Sequence, residues 1–151
     1  DSIPIENPQN SLGYKSYQLD YGYTPLLPFG FGLSYSDFEY SNFSLSALSM
    51  DLSGSIVAKA TIRNTGDMDA DEIVQLYTRD RVGSITRPIK ELKGYKRIHL
   101  KKGEETEVEF TITADDLAFF NGSVTEAEPG EFDVWIGTNS NEGLHGEFII
   151  E

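Results

Sequence analysis

Between Phe38 and Ile150 apolar and polar residues alternate one by one in segment after segment, and no long stretch keeps the three-to-four-residue spacing of a helix face. Alternation of this kind sends successive side chains to opposite sides of an extended chain, so each segment reads as a strand with one face turned to a core. Ile56, Ala58, Ala60 and Ile62 alternate without a break, and Val108, Phe110 and Ile112 alternate with Glu107, Glu109 and Thr111. Phe38 and Tyr40 followed by Phe43 and Leu45 predict a strand whose parity slips at Ser41-Asn42, as a bulge causes. Between Ile73 and Arg79, Val74, Leu76 and Thr78 share one face and Ile73, Gln75 and Tyr77 the other, which predicts a central or covered strand.

Further strands are expected over Leu92 to Leu100, around Phe132, Val134 and Ile136, and from Leu144 to Ile150. Asn64-Thr65-Gly66-Asp67, Lys101-Lys102-Gly103-Glu104 and Glu128-Pro129-Gly130 read as the turns between them. One helical turn is expected at Thr113 to Leu117, where Thr113 and Asp116 have the spacing of a capping box. About seven short strands separated by turns, with no helical layer, predict an all-β fold: an antiparallel β-sandwich of the fibronectin type III or immunoglobulin-like kind. With no cysteine and a single Trp135 in a late strand, the fibronectin-like variant fits better, and Trp135 is expected in the core or between the sheets.

The stretch before the strands is different. Its prolines, Pro4, Pro8, Pro25 and Pro28, are irregularly spaced and it has no alternation, yet half of the chain's aromatic residues lie between Tyr14 and Tyr40. This divides the chain into an irregular connection, residues 1–33, and a sandwich, residues 34–151, and makes the rings a packing surface rather than solvated linker. The chain does not start with Met, and the expectation is a processed product or a piece of something longer.

Charge and size narrow the function. With 25 acidic against 12 basic residues, a net charge of -13, the surface repels phosphate backbones and anionic lipid, so neither nucleic acid nor membrane is an expected partner. At 151 residues the chain is too short for a catalytic barrel, which takes about 250. His99 and His145 fall inside strands with no nucleophile elbow beside them, and are expected to face solvent. Asp115-Asp116 and Glu126/Glu128 are paired carboxylates in polar turns, where nothing desolvates one member of a pair as glycoside cleavage requires. Asp67, Asp69 and Asp71 imitate the start of a calcium loop, but Glu72 and Thr78 stand where that loop needs Gly and Glu, so an acidic turn is expected. No residue is assigned to catalysis, to a cofactor or to a metal.

Read in order, Pro28-Phe29-Gly30-Phe31-Gly32-Leu33-Ser34-Tyr35, Asn64-Thr65-Gly66-Asp67 and Asp71 through Tyr77 resemble the C-terminal part of family 3 glycoside hydrolases. Arg87-Pro88-Ile89-Lys90-Glu91-Leu92-Lys93-Gly94-Tyr95-Lys96-Arg97 and Pro129-Gly130-Glu131-Phe132 continue the match, which covers most of Pro28 to Gly137. The resemblance is to the fibronectin type III-like domain that ends many bacterial and fungal β-glucosidases and β-xylosidases. It implies a retaining parent enzyme whose barrel carries an Asp nucleophile and whose α/β sandwich carries the acid/base Glu, with this domain packed against both. It implies a β-glycoside substrate for the parent alone, no cofactor, and a periplasmic or secreted location. Tyr21, Tyr23, Phe29, Phe31 and Tyr35 are then expected to anchor the sandwich to the catalytic domains, with Arg87, Lys90 and Glu91 making polar interdomain or intrastrand contacts, the alternative for these three charges being solvation at a strand edge. A carbohydrate-binding module or a cell-surface adhesion module is the alternative, since sandwiches host many functions.

Overall fold

A computed structural model describes residues 27–81, 90–120 and 123–151. Tyr21, Tyr23 and Arg87 lie outside these residues. The described chain forms strands β1 (Phe38–Leu45), β2 (Ser49–Met50), β3 (Ser55–Asn64), β4 (Ala70–Asp80), β5 (Glu91–Leu100) and β6 (Glu105–Thr113), one helical turn α1 (Ala114–Leu117), and strands β7 (Phe119–Phe120), β8 (Thr125–Glu126), β9 (Gly130–Gly137) and β10 (Leu144–Ile150). β1, β3 and β6 form one sheet, and β2, β10, β9, β4 and β5, in that order, form the other. Every pairing in the two sheets is antiparallel except that of the two-residue β2 with β10. Three strands facing four, extended by β2, make a fibronectin type III-like β-sandwich, and the seven longer strands are those that the alternation predicts.

The core lies between the sheets. Ile56, Ala58, Ala60 and Ile62 are completely buried, and Val108, Phe110 and Ile112 beside them complete the inner face of the three-stranded sheet. Val74, Leu76, Leu100, Val134, Ile136 and Ile150 face them from the other sheet, where Phe132 and Phe148 stack across β9 and β10 with centroids 5.6 Å apart. Leu117, carried by α1, is buried with them. That turn starts where the sequence places it, because Thr113 Oγ1 accepts from the Asp116 backbone N–H and the Asp116 carboxylate accepts from the Thr113 N–H.

Two irregularities follow from local sequence. The register of β1 slips between Ser41 and Ser44, with Asn42 at φ 52°, a left-handed conformation that asparagine tolerates. The turn after β3 is organised by Asn64, whose buried side chain donates to the Met68 and Leu100 carbonyls at 2.8 and 3.0 Å and accepts from Ser36 Oγ and the Gly66 N–H. A Cβ at Gly66 would collide with Ser36 Oγ, so this turn needs glycine.

β4 is central, with β9 on one side and β5 on the other. Both faces are covered between Val74 and Thr78, where Val74, Leu76 and Thr78 lie inward and Gln75 and Tyr77, on the outer face, are also buried, whereas Ile73, expected on that outer face with them, is exposed. Trp135 departs from expectation. It is only half-buried and pairs in register with Tyr77 on the outer face, because the inward parity of β9 belongs to Phe132, Val134 and Ile136.

Candidate interdomain surface

The outer faces of the two sheets differ in chemistry. On the three-stranded sheet, Lys59 reaches Glu107 at 3.0 Å and Glu109 at 3.1 Å, and Arg63 stands opposite Glu105. Exposed cross-strand charges of this kind belong to a solvated face. The outer face of the five-stranded sheet holds aromatic rings, a buried carboxylate and an attached segment of chain.

The attached segment is Phe29-Gly30. The Phe29 carbonyl accepts from the Ser140 backbone N–H at 2.9 Å, and the Gly30 carbonyl accepts from Gln75 Nε2 at 2.9 Å. Gln75 Nε2 also donates to the Thr138 carbonyl, while its Oε1 accepts from the Tyr77 hydroxyl at 2.5 Å; the Phe29 carbonyl is a second, longer acceptor for that hydroxyl at 3.3 Å. Gly30 has φ +79°, and a Cβ there would run into Gln75 Oε1 and the Tyr77 hydroxyl, so only glycine suits both the conformation and the space. Burial pushes the Tyr77 hydroxyl above its ordinary pKa, which keeps it a donor.

On either side of this attachment the side chains point away from the sandwich. Leu27 is 61% exposed, Phe29 68%, Phe31 44%, Leu33 92% and Tyr35 92%. A groove of about 420 Å³ runs beside them, lined by Phe31, Ser34, Asp37, Glu72, Asn139 and Glu142 among others.

A polar network fills the other end of the same face. Asp133, its side chain 8% exposed, accepts from Arg81 Nη2 at 2.6 Å and lies 2.8 Å from His145 Nε2. Arg81 also reaches Glu131 at 3.3 Å and pairs with Glu147. The guanidinium, with a smaller part from His145, holds the Asp133 carboxyl below its ordinary pKa. His145 stacks on Trp135 with centroids 4.9 Å apart, and Lys90 Nζ sits 4.0 Å from the centre of the Trp135 ring. Burial lowers the Lys90 pKa, an effect that the charge of Asp133 partly offsets. Asp133, His145 and Glu147 have donor atoms close enough to share a cation, but the Arg81 guanidinium already binds both carboxylates.

Of the residues expected at an interdomain surface, Phe29, Phe31 and Tyr35 are exposed beside the attachment, and Lys90 caps Trp135. Glu91 is held by Lys93 at 2.7 Å on β5. Both histidines are exposed in strands, as expected, each beside an aspartate: His145 at Asp133, and His99 at Asp71, which Arg97 also engages. Asp67 pairs with Lys102 Nζ and Asp69 accepts from the Lys102 backbone N–H, so these two carboxylates of the acidic turn are both engaged by the same lysine. The roles of Gln75, Tyr77, Ser140 and Arg81 were not legible in the sequence, since their partners are backbone carbonyls or residues remote along the chain.

The fibronectin type III-like domain family matches residues 72–140. The periplasmic beta-glucosidase of Salmonella typhimurium is 39% identical over 145 residues, covering 95% of this chain and 19% of that protein. A beta-xylosidase of Formosa agariphila is 42% identical over 118 residues, covering 78% of this chain and 16% of that protein. Among solved structures, the beta-glucosidase of Listeria innocua in complex with glucose superposes with a TM-score of 0.83 at 36% identity, over 94% of this chain and 20% of that one. The chain therefore spans about a fifth of the length of the relatives it matches. In sequence and in architecture it belongs to the fibronectin type III-like domains of the family 3 glycoside hydrolases.

Proposed function

We propose that this chain is the structural accessory domain of a retaining β-glycosidase, a β-glucosidase foremost, and that it packs against the catalytic domains of its own polypeptide. The observation that carries this reading is the row Leu27, Phe29, Phe31, Leu33 and Tyr35, five large apolar side chains exposed within nine residues of a sandwich whose opposite face is polar. A cluster of this kind is costly to leave in water and marks a contact surface. In this reading substrate chemistry belongs to the barrel and the α/β sandwich, and this domain contributes buried area.

Full-length enzyme and a version ending before Leu27, both assayed on a nitrophenyl β-glucoside, test the proposal. The truncated enzyme is expected to lose activity faster on warming while keeping its Michaelis constant for the surviving fraction. Equal inactivation rates would remove the stabilising role, and binding of the isolated chain to insoluble β-glucan would favour a carbohydrate-binding module.

A further inference from the structure

The five-stranded sheet treats the Phe29-Gly30 backbone as a bound peptide. Three donors, Gln75 Nε2, the Tyr77 hydroxyl and the Ser140 N–H, converge on two successive carbonyls, and Gln75 and Tyr77 are themselves joined and buried. A flexible connection needs none of this, because water satisfies the carbonyls of an exposed loop at no conformational cost. What the arrangement does is fix the direction of the apolar side chains around it. Phe29 and Phe31 flank Gly30 and stay exposed although the backbone between them is tied down.

We infer that Gln75 and Tyr77 are positioning residues that lock the Phe29-Gly30 backbone so that Leu27, Phe29, Phe31, Leu33 and Tyr35 form a preformed docking ridge for the catalytic part of the same polypeptide. The occupant follows from the relatives, which carry about four-fifths of their length outside the matched region, and from chain continuity, since the sequence leads directly into the ridge at Leu27. A ridge already in its bound conformation loses less entropy on docking than a flexible one, so the latch strengthens an interface it does not touch. The inference rests on the accessory-domain reading and adds to it the device that aims the surface.

Two experiments separate the latch from the docking. In the 151-residue chain, cleavage after Phe29 and Phe31 by chymotrypsin, followed by mass spectrometry, reads whether that backbone is held. Wild type is expected to resist, and Gln75→Leu/Tyr77→Phe to be cut roughly tenfold faster, since cleavage waits on local release. Gly30→Ala attacks the latch from the strap side and leaves the sheet intact, so it is expected to give the same acceleration with the melting temperature of the sandwich nearly unchanged. Wild type and Gly30→Ala cut at equal rates would overturn the latch.

In the full-length enzyme, thermal inactivation is compared for Gly30→Ala, for the ridge variant Phe31→Ser/Tyr35→Ser, and for their combination. A latch that acts through the ridge makes the combination no worse than the ridge variant alone. Additive effects would overturn the coupling. If chymotrypsin resistance holds while neither set of variants changes inactivation, the docking reading fails and the latch stands as a feature of the sandwich alone.

Discussion

The Tyr40 hydroxyl donates a 2.8 Å hydrogen bond to Oε1 of Glu72, linking β1 of one sheet to β4 of the other. Glu72 shares its parity with Val74 and Leu76, so a carboxylate stands in a core-facing register at the end of a central strand. Burial raises its pKa above the ordinary 4.5, and the Tyr40 hydrogen bond only partly opposes this. The same burial, reinforced by the Glu72 charge, pushes the Tyr40 hydroxyl well above its ordinary range.

Glu72→Gln is therefore expected to raise the melting temperature at neutral pH by a few degrees, because a neutral amide accepts from Tyr40 without the desolvation of a charge. A raised folded-state pKa means that protonation favours the fold. The penalty in wild type is absent below pH 4.5 and sets in as pH rises through the folded value, so the two proteins should converge in acid. Melting curves from pH 3.5 to 8 check this. A variant less stable than wild type at pH 7 would mean that the charged hydrogen bond outweighs desolvation.

Asp133 carries the opposite sign. Arg81 depresses its pKa below the ordinary 3.8, so its contribution is fully present above that pH and is lost as pH falls through the folded value. Asp133→Asn should lower the melting temperature at pH 7, leaving Arg81 with Glu131 and Glu147 alone, and the gap to wild type should close below pH 3.8. A gap that persists unchanged in acid would show that Asp133 acts through packing and not through its charge.

Leu76 and Phe110 lie on facing sheets, 3% and 7% exposed. Truncation of either to Ala is expected to cost about 2 to 5 kcal/mol, the transfer of the lost atoms plus the cavity left behind. Chemical denaturation measures it, and losses below about 0.5 kcal/mol at both positions would mean that the faces of β4 and β6 are assigned the wrong way round.

Most of the sandwich could be read from the order of its residues, because alternation decides which face each side chain takes. Ile56 to Ile62 and Val108 to Ile112 are buried where their parity puts them, and Thr113 and Asp116 cap α1 through contacts three residues apart. Trp135 faces outward despite its size and apolarity, because Phe132, Val134 and Ile136 hold the core parity of β9. The latch has a different cause. Gln75 and Tyr77 act on carbonyls 45 and 48 residues away, and a backbone acceptor leaves no mark in the sequence of the residue that bears it. Asp133 and Arg81 are hidden for another reason: both are ordinary charged residues in the sequence, 52 positions apart, and the pairing of β4 with β9 is what brings their side chains together.

The chain alone is expected to give background rates on nitrophenyl β-glucoside and β-xyloside. Retaining hydrolysis needs two carboxyl groups about 5 Å apart, one kept protonated by its surroundings while the other stays ionised. Burial raises the pKa of Glu72, which makes it a place to look for an acid. Its Oε1 is taken by Tyr40 of the opposite sheet, and its neighbour Asp71 is held by Arg97 and His99. Asp116 is committed to capping α1. A carboxyl that joins two sheets cannot swing toward a glycosidic oxygen without breaking that bond, and a carboxylate bound by a guanidinium is a weak nucleophile. Turnover that disappears in Glu72→Gln would place an acid/base function in this domain, whereas residual turnover indifferent to that substitution would point to a contaminating enzyme.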